Sequence, residues 1–250
     1  MKTVRAAPKE EAESGRAGGG AKATSPPTLT DQAYAELEER IVTLQLEPGE
    51  FLSEHVLAES LKIGRTPIRE ALQRLAREGL VRILPRKGIM VSETDPRRQL
   101  LVLEARRELE RLLCRLGAQR ASEDERRRFR AIADGMDRAA KNSDDIAFMR
   151  LDRELNLLVS EAAHNEYASG AMRVLQGHSR RFWYMHYKEA ADLPLCARLH
   201  AAQARAIADG APKRAAEATD RLIDYTETFT RTTVVGADLR PPRSRTRSRT

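Results

Sequence analysis

Residues 64–79 read GRTPIREALQRLAREG, and their spacing predicts an amphipathic helix whose polar face is arginine. At 100° per residue Ile68, Ala71, Leu72 and Leu75 share one face, while Arg65 and Arg69, one turn apart, lie with Thr66 and Gln73 on another. Pro67 falls in the first turn, where its missing N–H costs nothing, and Gly79 is placed to end the helix. A helix that presents guanidinium groups along one side is shaped to enter a groove lined with negative charge.

Working outward, the segment before it carries two more helical patterns. From Thr30, a candidate cap, Ala33, Leu37, Ile41 and Leu44 predict a helix that ends before Pro48-Gly49. Ser53 is placed to cap a short helix carrying Val56, Leu57, Ala58 and Leu61, which a tight turn joins to the arginine helix. On the other side Leu80–Leu84 and Ile89–Val91 are β-prone runs connected by Pro85-Arg86-Lys87-Gly88, a hairpin with a basic tip. Helix, helix, helix, hairpin is a winged helix-turn-helix.

Charge follows the same plan. Residues 31–59 hold eight acids and one base (Arg40), and residues 60–90 hold eight bases and two acids (Glu70, Glu78). The basic block therefore centres on the arginine helix and the wing, a distribution suited to a polyanion such as double-stranded DNA. The whole chain has 250 residues and a formal net charge of +7, a length that predicts two modest domains.

From Asp95-Pro96 onward every long stretch has helical period, with helices expected at 97–120, 123–140, 144–163, 166–190, 194–209 and 211–234, broken at Asn142-Ser143, Asn165 and Asp209–Pro212. The fold class expected is mainly α: an N-terminal winged helix-turn-helix with a small β-hairpin, then an all-α bundle of about six helices. The expected division is 1–29 a disordered arm, 30–95 the winged helix, 96–235 the bundle, and 236–250 a disordered tail with five arginines. Cys114 and Cys196 lie far apart without metal spacing and read as buried or half-buried thiols. No apolar run approaches a membrane span and no N-terminal segment resembles a secretion signal, so a cytoplasmic, nucleoid-associated protein is expected.

The runs LEPGEFLSE (46–54), LAESLKIGRTPIREALQRLAREGLV (57–81) and PRKGIMVSE (85–93) closely resemble the N-terminal domain of GntR-type bacterial transcription regulators. The resemblance implies that Arg65 and Arg69 face the major groove, reading guanine edges or holding phosphates. A guanidinium fork matches guanine O6 and N7 in a bidentate pair, a discrimination of about 1–3 kcal/mol. It further implies backbone contacts from His55 and Thr66, with Gln73 on the same helix face, and a minor-groove approach by Arg86, Lys87 and Gly88. Gly64 departs from the Ser or Thr usual in the family: it remains an adequate cap, but a hydroxyl able to meet a phosphate is gone.

The bundle is similar, more loosely, to the ligand-binding FCD domain of the FadR subfamily, through LEARRELE (103–110), LDRELNLLVSEAAHNEY (151–167) and LHAAQARAIADGAPKRAAEA (199–218). Many such domains hold a divalent metal through an Asp, a His four residues on, and two later His. Asp152 and His200 match, but Asn156 stands at the second position and Leu222 near the last. A zinc or nickel centre on Asp152, Asn156 and His200 would have an incomplete donor set, with Asp220 as a conceivable substitute. A polar, metal-free pocket in the same place is the alternative. The fourth bundle helix carries RVLQGHSRRFWYMHYKEA (173–190) with the only Trp. Ordinary core or dimer packing accounts for its aromatics; the functional alternative is that His178, Arg180, Arg181, Trp183 and Tyr184 line an effector cavity, an arginine taking a carboxylate.

Together these readings predict a homodimeric, ligand-responsive repressor that binds a short inverted repeat, has no catalytic residues and is modulated by a small carboxylate-bearing metabolite. The competing readings are a metal-responsive sensor or metal-dependent enzyme centred on the same polar site, and an architectural DNA-binding protein with no effector.

Overall fold

The computed structural model describes residues 26–238, so most of the predicted disordered arm and the arginine-rich tail beyond Asp238 lie outside the described residues. Three helices open the fold: α1 (Leu29–Val42), α2 (Glu54–Leu61) and α3 (Arg65–Arg77). α1 begins earlier than expected, because Thr28 and not Thr30 supplies the cap, in a capping box with Asp31. Thr30 instead donates to Glu70 on α3 at 2.7 Å. α1 also stops sooner: Leu44 has left the helix at φ 60°, and Val42 and Leu46 fill the apolar positions instead.

Ile68, Ala71, Leu72 and Leu75 of α3 are fully buried against α1 residues Ala33, Leu37 and Ile41, as the spacing predicts. Behind them lies a three-stranded antiparallel sheet, in the order β1 (Phe51–Leu52), β3 (Gly88–Val91), β2 (Val81–Leu84). The wing hairpin closes with Leu84 opposite Gly88, and Arg86 sits at the tip in a left-handed conformation (φ 63°). The two-residue β1 has no signature of its own; it exists because Phe51 and Leu52 pair with Met90 and Ile89.

Six helices follow: α4 (Pro96–Arg120), α5 (Glu123–Asn142), α6 (Asp145–Ala162), α7 (Glu166–Ala190), α8 (Leu193–Ala208) and α9 (Pro212–Asp238). Side-chain caps from Asp95, Ser122, Asp144, Asn165 and Asp192 start five of them. Alanines such as Ala133, Ala197, Ala201 and Ala204, all fully buried, let α5, α8 and α9 approach closely. The bundle has its own apolar cluster, separate from that of the winged helix.

α7 is the element on which the two clusters meet. One side packs Phe182 and Trp183 into the bundle, against Phe229 at 6.0 and 4.8 Å. Another side is laid against the winged helix. His178 Nε2 donates to the carbonyl of Glu78, the cap residue of α3, at 2.8 Å. Gly177 permits the approach, since a Cβ there would lie 3.1 Å from the side chain of Leu80.

Candidate functional site

The first candidate surface is the exposed side of α3. Its buried stripe leaves Arg65, Thr66, Arg69 and Gln73 exposed in a row, and Arg86, Lys87 and Gly88 stand exposed at the wing tip. These are the residues expected to face a groove. The arginines are not idle. Arg69 donates to both carboxylate oxygens of Glu54, at 2.7 to 3.2 Å, and this hydrogen-bonded partner holds the Glu54 carboxyl below its ordinary range. Arg65 donates to His55 Nδ1 at 3.2 Å, leaving the ring proton on Nε2, which faces Glu59 at 3.4 Å. Glu54 was not anticipated. Its position as the first residue of α2, beside the arginine row, follows only from the crossing of α2 and α3.

No side chain caps the N-terminus of α3, because the cap residue is Gly64. Its first backbone N–H groups therefore point outward beside Arg65 and Thr66, a geometry that suits a phosphate. At the other end Arg74 has left the row: its guanidinium lies 3.7 Å over the ring of Tyr34 and pairs with Asp31 and Glu78. Arg74 is thus structural, with Glu78 as its partner on the helix.

The second candidate site lies inside the bundle. Asp152 and Asn156 on α6, Arg180 and Trp183 on α7, and His200 on α8 surround a cavity of about 40 Å³. His200 Nε2 is 3.3 Å from Asp152 Oδ1, and its Nδ1 donates to the carbonyl of Cys196 at 2.8 Å. Burial opposes charge on this imidazole, yet its contacts with Cys196 and Asp152 raise its pKa well above that of free histidine. Burial also raises the Cys196 thiol, which stays protonated, so the Asp152 carboxylate carries the effect. Asp152 in turn is kept below its usual range against the pull of burial, by His200 and Arg180.

The donor set does not suit a divalent metal. Asn156 donates to Asp152 Oδ1 at 3.0 Å and accepts from Gln176 at 3.1 Å, so its amide is spent on neighbours. Leu222 lines the cavity where another donor would be needed. Asp220 is held on the outer side of α9 by Arg107 and Arg111, at 3.3 and 3.2 Å. Asp152 and His200 alone fall short of the three or four ligands that zinc or nickel takes, and no group of three His, Cys, Asp or Glu suited to a metal occurs among the described residues.

Two buried donors on this cavity have no partner: Arg180 Nε, 3.8 Å from Asp152 Oδ2, and Trp183 Nε1. The rest of the Arg180 guanidinium reaches out of the bundle, donating to Glu38 and Glu39 of α1 at 3.2 Å each. One buried arginine thus belongs both to the cavity and to the winged helix.

Sequence reasoning placed His178, Arg181 and Tyr184 on the same cavity, and the structure separates them. Adjacent helical residues point 100° apart, so Arg180 faces Asp152 while Arg181 turns to the segment between β3 and α4, donating to the carbonyls of Ser92 and Glu93 at 2.9 and 3.3 Å. His178 lies with Arg181 along a different cavity. Tyr184 packs edge-on against Tyr187 at 5.9 Å, outside both. Arg106 was missed. It pairs with Glu110 at 2.8 Å inside the bundle and lines the Asp152 cavity. The pattern did hold a signal, because Leu103, Arg106, Glu110 and Leu113 lie at alternating spacings of three and four on one buried stripe, where charge occurs only when paired.

Comparison with known proteins adds the following. The family model described as "FCD domain" matches residues 101–225, and that of "Bacterial regulatory proteins, gntR family" matches residues 29–91. An uncharacterized HTH-type transcriptional regulator in an unstable DNA locus of Streptomyces ambofaciens is 49% identical over 65 residues, 26% of this chain and 28% of its own length. The match therefore spans well under two thirds of that relative. Among solved structures, E. coli McbR/YncC superposes with a TM-score of 0.70 at 18% identity, over 83% of this chain and 99% of that one. A GntR transcriptional regulator from Rhodococcus sp. RHA1 gives 0.61 at 20% identity, over 83% and 98%. At such identities the likeness concerns the fold.

Proposed function

The chain belongs to the GntR family of bacterial regulatory proteins that carry an FCD domain, and from that premise we propose that it is a ligand-responsive transcription regulator acting as a repressor. Two copies related by two-fold symmetry place their α3 helices in successive major grooves of a short inverted repeat, with Arg65 and Arg69 at base edges or phosphates and Arg86 and Lys87 at the minor groove. The division of labour falls near Asp95, the cap of α4, with the operator read before it and the effector held after it.

The observation that carries the reading is Arg180. Its Nε, 3.8 Å from Asp152 Oδ2, and the indole N–H of Trp183 are buried donors without hydrogen-bond partners on the Asp152 cavity, and its two terminal nitrogens hold Glu38 and Glu39 of α1. A carboxylate entering the cavity finds donors waiting and competes with α1 for the same guanidinium. At about 40 Å³ the cavity has room for roughly one water, so a metabolite fits only if α7 shifts. Because α7 also holds the end of α3 through His178, a shift there reaches the DNA-reading helix. The coupling is limited by the ligand's differential affinity for the two arrangements, typically about 1–3 kcal/mol.

The test is a thermal-shift screen of mono- and dicarboxylates on the full chain, followed by operator binding with each compound that stabilises it. The expected outcome is a carboxylate that weakens operator binding by wild type and has no effect on Arg180→Gln. Equal responses from both proteins would remove Arg180 from the coupling. Metal analysis of protein purified without added metal is expected to return less than about a tenth of an equivalent, as the two charged donors imply.

A further inference from the structure

A separate cavity of about 590 Å³ lies between the base of the wing, the segment 92–95, α4 and α7, lined among others by Arg82, Ser92, Arg98, His178 and Arg181. Its deepest charge is unusual. Arg181 is 1% exposed, yet its guanidinium is met by two backbone carbonyls and by no carboxylate ion pair among the described residues. Its Nε has no partner, nor has the buried hydroxyl of Ser92 on the same cavity. Burial pulls its pKa down to about 10, with Glu93 only partly opposing. A guanidinium buried without an ion-pair partner is costly.

Two acids, Glu93 and Asp95, line the same cavity, and each carboxylate is turned to other work. The Asp95 carboxylate caps α4 through the N–H of Arg97 at 2.9 Å, and Glu93 Oε1 lies where a Cβ on Gly49 would meet it at 2.9 Å, on the β1 side. Arg82 and Arg98 are exposed and make no ion pair among the described residues. Three guanidiniums from β2, α4 and α7 therefore converge on one cavity, with a free hydroxyl beside them.

We propose that this junction cavity is a second ligand site, distinct from the Asp152 cavity, and that it takes a small phosphate-bearing anion held by Arg181, Arg98, Arg82 and Ser92. Donors arriving from three elements suit a tetrahedral dianion, which accepts in several directions, better than a planar carboxylate, which one fork satisfies. The volume falls within the range that holds small metabolites. Occupation ties the wing base to α4 and α7, and so pins the winged helix in the orientation seen here.

The probe is inorganic phosphate, titrated into the full chain at constant ionic strength against chloride and succinate, with binding read by 31P line broadening and by the melting midpoint. Wild type is expected to bind one equivalent saturably, Arg98→Gln at least roughly tenfold more weakly, as loss of a charged hydrogen bond implies, and Arg181→Gln not at all. A shift that rises without saturation and equals that of chloride would overturn the site. Succinate binding as tightly as phosphate would overturn the ligand class. If Arg181→Gln does not fold, Arg98→Gln decides, because its exposed side chain is not needed for the core, and unchanged phosphate affinity in that variant sinks the proposal.

Discussion

The helices α3 and α7 both carry arginines on an amphipathic surface, and the two surfaces do opposite things. On α3 the side chain of Arg69 is 60% exposed and its partner Glu54 is itself at the surface. On α7 Arg180 and Arg181 are 9% and 1% exposed and fasten the bundle to α1 and to the segment after the wing. An exposed guanidinium is available to a polyanion and costs little to hold ready. A buried one is committed to whatever surrounds it, so it serves as a joint whose partners can be exchanged but not removed.

The contrast breaks most visibly at Arg180. Truncating it leaves a half-buried Glu38 and a buried Asp152 held only by His200 and the Asn156 amide, and removing one partner of a buried pair costs about 3–5 kcal/mol. Arg180→Ala should therefore lower the denaturation midpoint strongly, by about 3 kcal/mol in unfolding free energy, whereas Arg69→Ala should leave the midpoint almost unchanged, because its ion pair is exposed. Urea melts of the two variants side by side test this. Similar losses in both would erase the distinction between joint and reader.

For DNA the order reverses. Arg69→Ala should reduce affinity for a specific operator by about 1–3 kcal/mol, roughly five- to 150-fold, with a smaller change for unrelated sequence. Gel shifts with specific and scrambled duplexes, accompanied by circular dichroism to show an intact fold, make the measurement. An unchanged ratio of specific to non-specific binding would remove Arg69 from base reading.

These two helices were not equally legible from sequence. α3 could be read because its facing depends on one helix alone: the apolar stripe fixes which side is buried, and what remains outside includes Arg65 and Arg69. The winged helix was legible for the same reason, apart from β1, which needs its partner strand to exist, and Thr28, whose cap lay just upstream of the first apolar position. On α7 the sequence shows only that Arg180 and Arg181 are neighbours. Which of them turns to Asp152 and which to Ser92 depends on the rotation of α7 between two packed bodies, and no local periodicity encodes that. The Asp152 site falls between these cases: resemblance pointed to Asp152, Asn156 and His200, and the fold brings them to one cavity, but its chemistry depends on Asn156 and Gln176 meeting across α6 and α7.

Glu54 sharpens the comparison from the side of α3. It occupies the Arg69 guanidinium at 2.7 to 3.2 Å, so a guanine or phosphate must displace it. Glu54→Gln removes a charge that repels the DNA backbone and weakens the competing pair, and operator affinity should rise by a few-fold, within the roughly 0.2–1 kcal/mol of an exposed ion pair. Fluorescence anisotropy at fixed salt reads the change. A drop instead would mean that Glu54 aims Arg69 at its target and does not restrain it.

The smallest effect is expected at Gly64, where α3 begins without a side-chain cap. Gly64 has an extended backbone (φ −59°, ψ 155°), which serine adopts without strain, and the nearest atom to an added Cβ is Pro67 Cδ at 3.7 Å, an ordinary contact. Gly64→Ser should stabilise the fold by only a few tenths of a kcal/mol, because glycine is already a tolerable cap. Its effect on DNA binding should not depend on sequence, since a hydroxyl at this point reaches backbone phosphate and not a base. Specific and scrambled duplexes should therefore gain equally in anisotropy titrations. A gain confined to the specific duplex would place the start of α3 against a base edge, and the reading face would then begin one residue before Arg65.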